Sequence, residues 1–114
     1  MHWKCGDFMN TEPIIQNIAD EIIKNFDPLE IFLVSAKHST SGKLTSFKLC
    51  VVIPDYINVN EFEGDVYMKT DCEIPYDIIA YNVGEWNELL DDDCTFAYRI
   101  DSAGVILYEQ NKRT

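Results

Sequence analysis

Basic residues are scarce in this sequence. Nine lysines and arginines stand against twenty aspartates and glutamates, a net charge of −11, and Arg99 and Arg113 are the only arginines. Phosphate backbones are held by clustered cations, so the composition argues against a DNA or RNA groove, and the same repulsion opposes docking on anionic lipid. Long apolar runs are missing as well. None approaches the roughly 18 residues of a membrane helix, and the opening MHWKCGDFMN lacks the apolar stretch of a secretory signal. The expectation is a cytoplasmic protein with no membrane partner. Its four cysteines, Cys5, Cys50, Cys72 and Cys94, form no C-x-x-C pair. That leaves neither a zinc knuckle nor a redox motif and fits free thiols in a reducing compartment.

What is present is core material. With 46% hydrophobic residues the chain is too apolar for disorder even at this charge. Its 114 residues fit one domain, 1–114, in which residues 1–10 form a loose leader.

Along the chain, Asn10-Thr11-Glu12-Pro13 marks a helix start through a polar cap and a first-turn proline. Ile14, Ile15, Ile18, Ile22 and Phe26 then form a one-sided stripe that ends at Asp27-Pro28. Glu30–Ala36 reads as a strand, followed by the polar loop KHSTSGKL and a second strand, TSFKLCVVI, closed by Pro54-Asp55. The stretch YINVNEFEGDVYMKTDCEI fits a short helix or an irregular crossover. YDIIAYN is a strand, Glu85 to Leu90 a short helix, Thr95 to Asp101 a helix ended by Gly104, and VILYEQ a final strand. This alternation predicts an α+β domain with a mixed β-sheet covered by helices.

Strand alternation puts Phe47, Leu49, Val51 and Ile53 on one face and Ser46, Lys48, Cys50 and Val52 on the other. The first set is a core face. On the second, Ser46 and Lys48 stand side by side next to the polar loop.

From here the chain resembles the minimal nucleotidyltransferase domain of the DNA polymerase beta superfamily. That family has a strand, a Gly-Ser turn, a strand of the form S-D-x-D-L-x-V-V and a third carboxylate on a later strand. IFLVSAKHSTSGKLTSFKLCVVI is similar to the first part, with Ser35-Ala36 at the Gly-Ser position and Ser46 and Lys48 at the two aspartate positions. YDIIAYN places Asp77 at the third carboxylate, and FAYRIDSAGVILYEQ resembles the family's closing helix, glycine and short strand. The resemblance spans about residues 14 to 109 and implies a nucleotidyltransferase-like fold.

The chemistry that goes with the fold needs two divalent ions held by hard oxygen ligands. Serine is a weak neutral ligand and an ammonium offers no acceptor. Ser35 and Ala36 also lack the close backbone approach that glycine allows to phosphate. The implied active site, Ser35, Ala36, Ser46, Lys48 and Asp77, therefore reads as a remnant with no catalytic set, no metal and no cofactor. Lys48 is expected to project toward Asp77 and replace the missing cation in an ion pair, or else to reach solvent on an uncovered sheet face.

Lys37, His38, Lys43 and Lys48 are candidate ligand-binding residues for a phosphate. Asp91-Asp92-Asp93 reads as a solvated loop, and His2 and Cys5 as incidental metal donors. Trp86 and Leu90 read as packing residues, and Ser39 with His38 lacks the strand-turn-helix setting of a hydrolase. Three functions stay open. The first is an inactive domain acting as a regulatory or protein-interaction module, for which the resemblance implies a helical partner protein or a homodimer. The second is a metal-independent nucleotide sensor, and the third an active transferase with ligands rebuilt from Asp77 and Asp55.

Overall fold

The computed structural model describes residues 12–110. Helix α1, Pro13–Phe26, opens with Pro13 in its first turn, where a missing N–H costs nothing, and ends at Asp27 in the left-handed region with φ 52°. Its stripe of Ile15, Ile18, Ala19 and Ile22 is buried. Strand β1, Glu30–His38, and strand β2, Leu44–Ile53, form an antiparallel hairpin. Its turn carries Gly42 at φ +89°, a conformation that costs glycine little. β1 runs two residues past Ala36, because pairing with β2 continues to His38↔Leu44.

The ambiguous stretch is a three-turn helix, α2, Val59–Lys69, whose first turn is capped by the Asn58 side chain accepting from the Glu61 N–H at 2.9 Å. It carries the chain over to β3, Tyr76–Asn82, which lies parallel to β2. Helices α3, Val83–Leu90, and α4, Phe96–Ala103, follow, and β4, Val105–Glu109, returns antiparallel to β1. The sheet order is β3-β2-β1-β4, so the expected mixed sheet covered by helices is what the chain forms.

Two cores sandwich the sheet. On one face α1 and α2 pack Ile15, Ile18, Ile22, Phe62 and Val66 against Leu49, Val51 and Ile53. On the other, Trp86 of α3 with Ala97 and Ile100 of α4 covers Phe32, Cys50 and Val52. Leu49 to Ile53 are buried on both sides, which is why LCVVI shows no polar alternation. The α3–α4 layer covers only the Cys50–Val52 half of its face. Toward Ser46 and Lys48 that face is uncovered, and polarity begins where the helices stop.

Among the described residues no helix is long and apolar enough to cross a membrane. The leader, with His2 and Cys5, lies outside the described residues.

Candidate functional site

The uncovered end of the sheet holds a recess of about 160 Å³ lined by Ser35, Lys37, Ser46, Lys48 and Asp77, with Phe47, Pro75 and Tyr76 at its margin. Strand register assembles it. Ser35 pairs with Lys48 and Lys37 with Ser46 across the hairpin, and Lys48 pairs with Asp77 across the parallel strands. Paired residues point to the same face, so two ammonium groups, two hydroxyls and one carboxylate converge there. Tyr76 stacks on Phe47 at 5.3 Å and shares a hydrogen bond with the Thr70 hydroxyl, which fixes the start of β3 against α2. Burial raises the Tyr76 phenol above its ordinary value, the Thr70 bond opposing.

Ala36 does not belong to this set. A register shift between Leu33 and Ser35 inserts an extra residue in β1. Val34 then packs against the Trp86 core, Ser35 faces the recess and Ala36 pairs with Phe47 and packs on the α1 side. The turn implied at Ser35-Ala36 is likewise replaced by continuous strand, so the hairpin offers no backbone cradle for phosphate at that point.

The expected Lys48–Asp77 ion pair is not formed. The two residues are direct neighbours, yet their charged atoms make no contact within 4.0 Å; among the described residues the one such contact joins His38 and Glu12. Asp77 is exposed and Lys48 half-buried. A carboxylate in water needs no neutralising partner, and half-buried Lys48 lines the recess without closing on it.

The remaining candidates divide by position. Lys37 lines the recess, whereas His38 turns away and its Nε2 lies 2.7 Å from Glu12 Oε1. Lys43 sits in the exposed hairpin turn, tied through its backbone to Ser39. Ser39 Oγ bonds Ser41 Oγ at 2.8 Å, so no Ser–His pair exists. Asp92, Asp93 and Cys94, all exposed, bring three donor atoms within 4.8 Å of one another, and Asp92 uses an oxygen on the Cys94 N–H. Trp86 is 2% exposed and touches Phe32 and Tyr81, which makes it core.

Asp55 and Asp77 stand at opposite ends of the parallel pair. Asp77 is at the start of β3, and Asp55 lies beyond the end of β2 next to Gly84, the residue that follows β3 by two. Five strand residues separate those levels, about 16 Å, and no single metal spans that gap.

A second recess, of about 530 Å³, opens at Asp55's end between the β2–α2 connection and the start of α3. Asp55, Tyr56, Asn58, Asn60, Asn82 and Glu85 line it. Its frame is fixed by Asn82 Nδ2, which donates to the Pro54 and Ile57 carbonyls at 3.0 and 2.7 Å, and by the Gly84 N–H donating to Asp55 Oδ1 at 2.8 Å. No spacing rule announces this recess. Its parts lie more than 20 residues apart in sequence and meet only through the β2–β3 pairing.

No family model, curated protein or solved structure matches the chain.

Proposed function

We propose that this is a catalytically inactive nucleotidyltransferase-like domain that works by binding a protein partner. The observation that carries the reading is Lys48 standing in register with Asp77 where the resemblance assigns the metal ligands. A cation there, beside a hydroxyl from Ser46, repels the divalent ions that nucleotidyl transfer needs. Asp55, the other carboxylate considered for the task, is far out of reach.

Charge distribution supports the choice of partner. Between Lys48 and Arg99 the chain carries twelve aspartates and glutamates and a single lysine, Lys69. The half of the molecule built from α2, β3 and α3 therefore presents an anionic surface, complementary to a basic protein and steering its approach. A protein with a basic face is the partner this surface favours, and the resemblance implies that it is helical.

A second reading rests on the smaller recess. Residues 31–54 contain no acid but hold Lys37, His38, Lys43 and Lys48. Lys37 and Lys48 converge with Ser35 and Ser46, a donor set suited to a phosphate without metal. The module would then sense a nucleotide.

Thermal melts with ATP, GTP, CTP and UTP, each with and without magnesium, separate the readings. A ligand at a hundredfold excess over its dissociation constant adds about 2.7 kcal/mol. No shift is expected for the interaction module. A magnesium-independent shift lost in Lys48→Ala supports the sensor, and a shift that requires magnesium overturns the inactive reading.

A further inference from the structure

The two edges of the sheet are treated differently. β3 exposes one edge, and α2 covers it with side chains: Glu63 Oε2 accepts the Ala80 N–H at 3.1 Å and Tyr67 Oη accepts the Ile78 N–H at 3.0 Å. Those two residues, one helical turn apart, occupy the place of a further strand. At the other edge, nothing among the described residues hydrogen-bonds to the outer side of β4. An unprotected edge is a template for another strand.

β4 is also held ready for pairing. Beyond its last residue, the Gln110 N–H donates to the Leu29 carbonyl at 2.9 Å, and its side chain reaches Asp27 and the Pro28 carbonyl. At the other end Gly104, the residue before β4, donates its N–H to the Ile100 carbonyl at 2.7 Å. Both ends are pinned, so little ordering remains to be done on association. Val105 and Ile106, on β4 itself, are among the large exposed apolar side chains of the described residues.

We infer that the β4 edge pairs with the β4 edge of a second copy of this chain, antiparallel about a two-fold axis, giving one continuous eight-stranded sheet. Self-complementarity selects this occupant. In a two-fold pairing centred at Ile106 or Leu107, Glu109, the one charge in VILYE, faces position 103 or 105 of the other copy, Ala103 or Val105, so no like charges meet.

Sedimentation velocity of the full chain up to submillimolar concentration, with amide hydrogen exchange on the same samples, tests this. The expected result is a species of twice 13.2 kDa whose formation slows exchange in residues 105–109 and leaves β3 unchanged. Ile106→Lys puts a charge on both copies at the seam and should weaken dimerisation about tenfold or more, with a far-UV spectrum like the parent's. Val105→Lys serves the same purpose should Ile106→Lys fail to fold. Met68→Lys, an exposed position on α2, should leave the dimer intact. A monomer at every concentration overturns the inference. So does a dimer that resists both β4 variants, or one whose protection appears outside β4.

Discussion

Glu63→Ala should cost about 2 kcal/mol of stability, although Glu63 is a half-buried acid that sequence alone would assign to the surface. The figure follows from the edge it caps. Ala80, whose N–H donates to Glu63, is 7% exposed, and Ile78, whose N–H donates to Tyr67, is 6% exposed. A buried donor left without an acceptor costs about 1–3 kcal/mol, and bonds to charged acceptors sit toward the upper end. At roughly 4 °C per kcal/mol for a domain of this size, the melting temperature should fall by about 8 °C. Tyr67→Phe keeps the ring against Tyr76 at 5.3 Å and deletes only the hydroxyl, so about 1 kcal/mol is expected. Glu63→Gln retains an acceptor oxygen and should recover more than half of the Glu63→Ala loss. The assay is urea unfolding of the four proteins, with exchange rates of the Ala80 and Ile78 amides read alongside. If Glu63→Ala unfolds within about 0.3 kcal/mol of the parent, or if Gln does no better than Ala, the carboxylate is not holding the β3 edge.

Lys48→Ala should change stability by less than about 1 kcal/mol, because no ion pair is broken; a loss of several kcal/mol in urea unfolding would mean a buried partner exists. Gly104→Ala would place a Cβ 2.7 Å from the Ile100 carbonyl oxygen and should destabilise by about 1–3 kcal/mol. Gly64→Ala, in mid-helix with nothing within 4 Å, should stabilise by about 0.5–1 kcal/mol in the same assay. Burial, with a smaller push from Glu30, raises the Cys50 thiol from 9.0 to about 12. At pH 8 a maleimide should therefore label Cys94 and spare Cys50 until the chain unfolds. The thiol binds its proton more tightly in the folded state. Its contribution is therefore intact below pH 9 and lost as pH rises toward 12, so unfolding should become easier across that window, as followed by circular dichroism.

Elements with one-sided patterns were legible in the sequence, and those shaped by long-range pairing were not. The isoleucine stripe of α1 and the compact YDIIAYN run lead to the observed helix and to the bounds of β3. Two-residue periodicity also brings Ser46 and Lys48 to one face, and the parallel register sets Asp77 beside them. Ala36 escapes because one extra residue at Val34 inverts the phase of β1, moving Ser35 to the recess and Ala36 to the core. A strand reads the same with or without that residue until its partner is known. α2 was ambiguous because its only buried residues are Phe62 and Val66, too few for a stripe to emerge around Gly64 and Asp65. The Asp55 recess depends on Asn82 reaching back to Pro54 and Ile57, contacts that no local pattern encodes.

The central strand lets the two sides of one small sheet differ. β2 is covered on both faces from Leu49 to Ile53, so the rigid part of the molecule lies there and its surroundings are free to differ. On the β3 side α2 caps the backbone, leaving side chains as the means of recognition, and these include Glu61, Glu63 and Asp65. On the β4 side the backbone edge is open and the side chains are apolar and nearly uncharged. Three strand spacings, about 14 Å, separate the two edges, more than a Debye length at physiological salt. In the two associations proposed above, binding of a basic protein at the first would therefore leave pairing at the second almost unaffected electrostatically. Raising the salt concentration should weaken the first association, since it screens an attraction, and leave the second nearly unchanged, because the acidic β3 edge is already beyond a Debye length of the β4 seam.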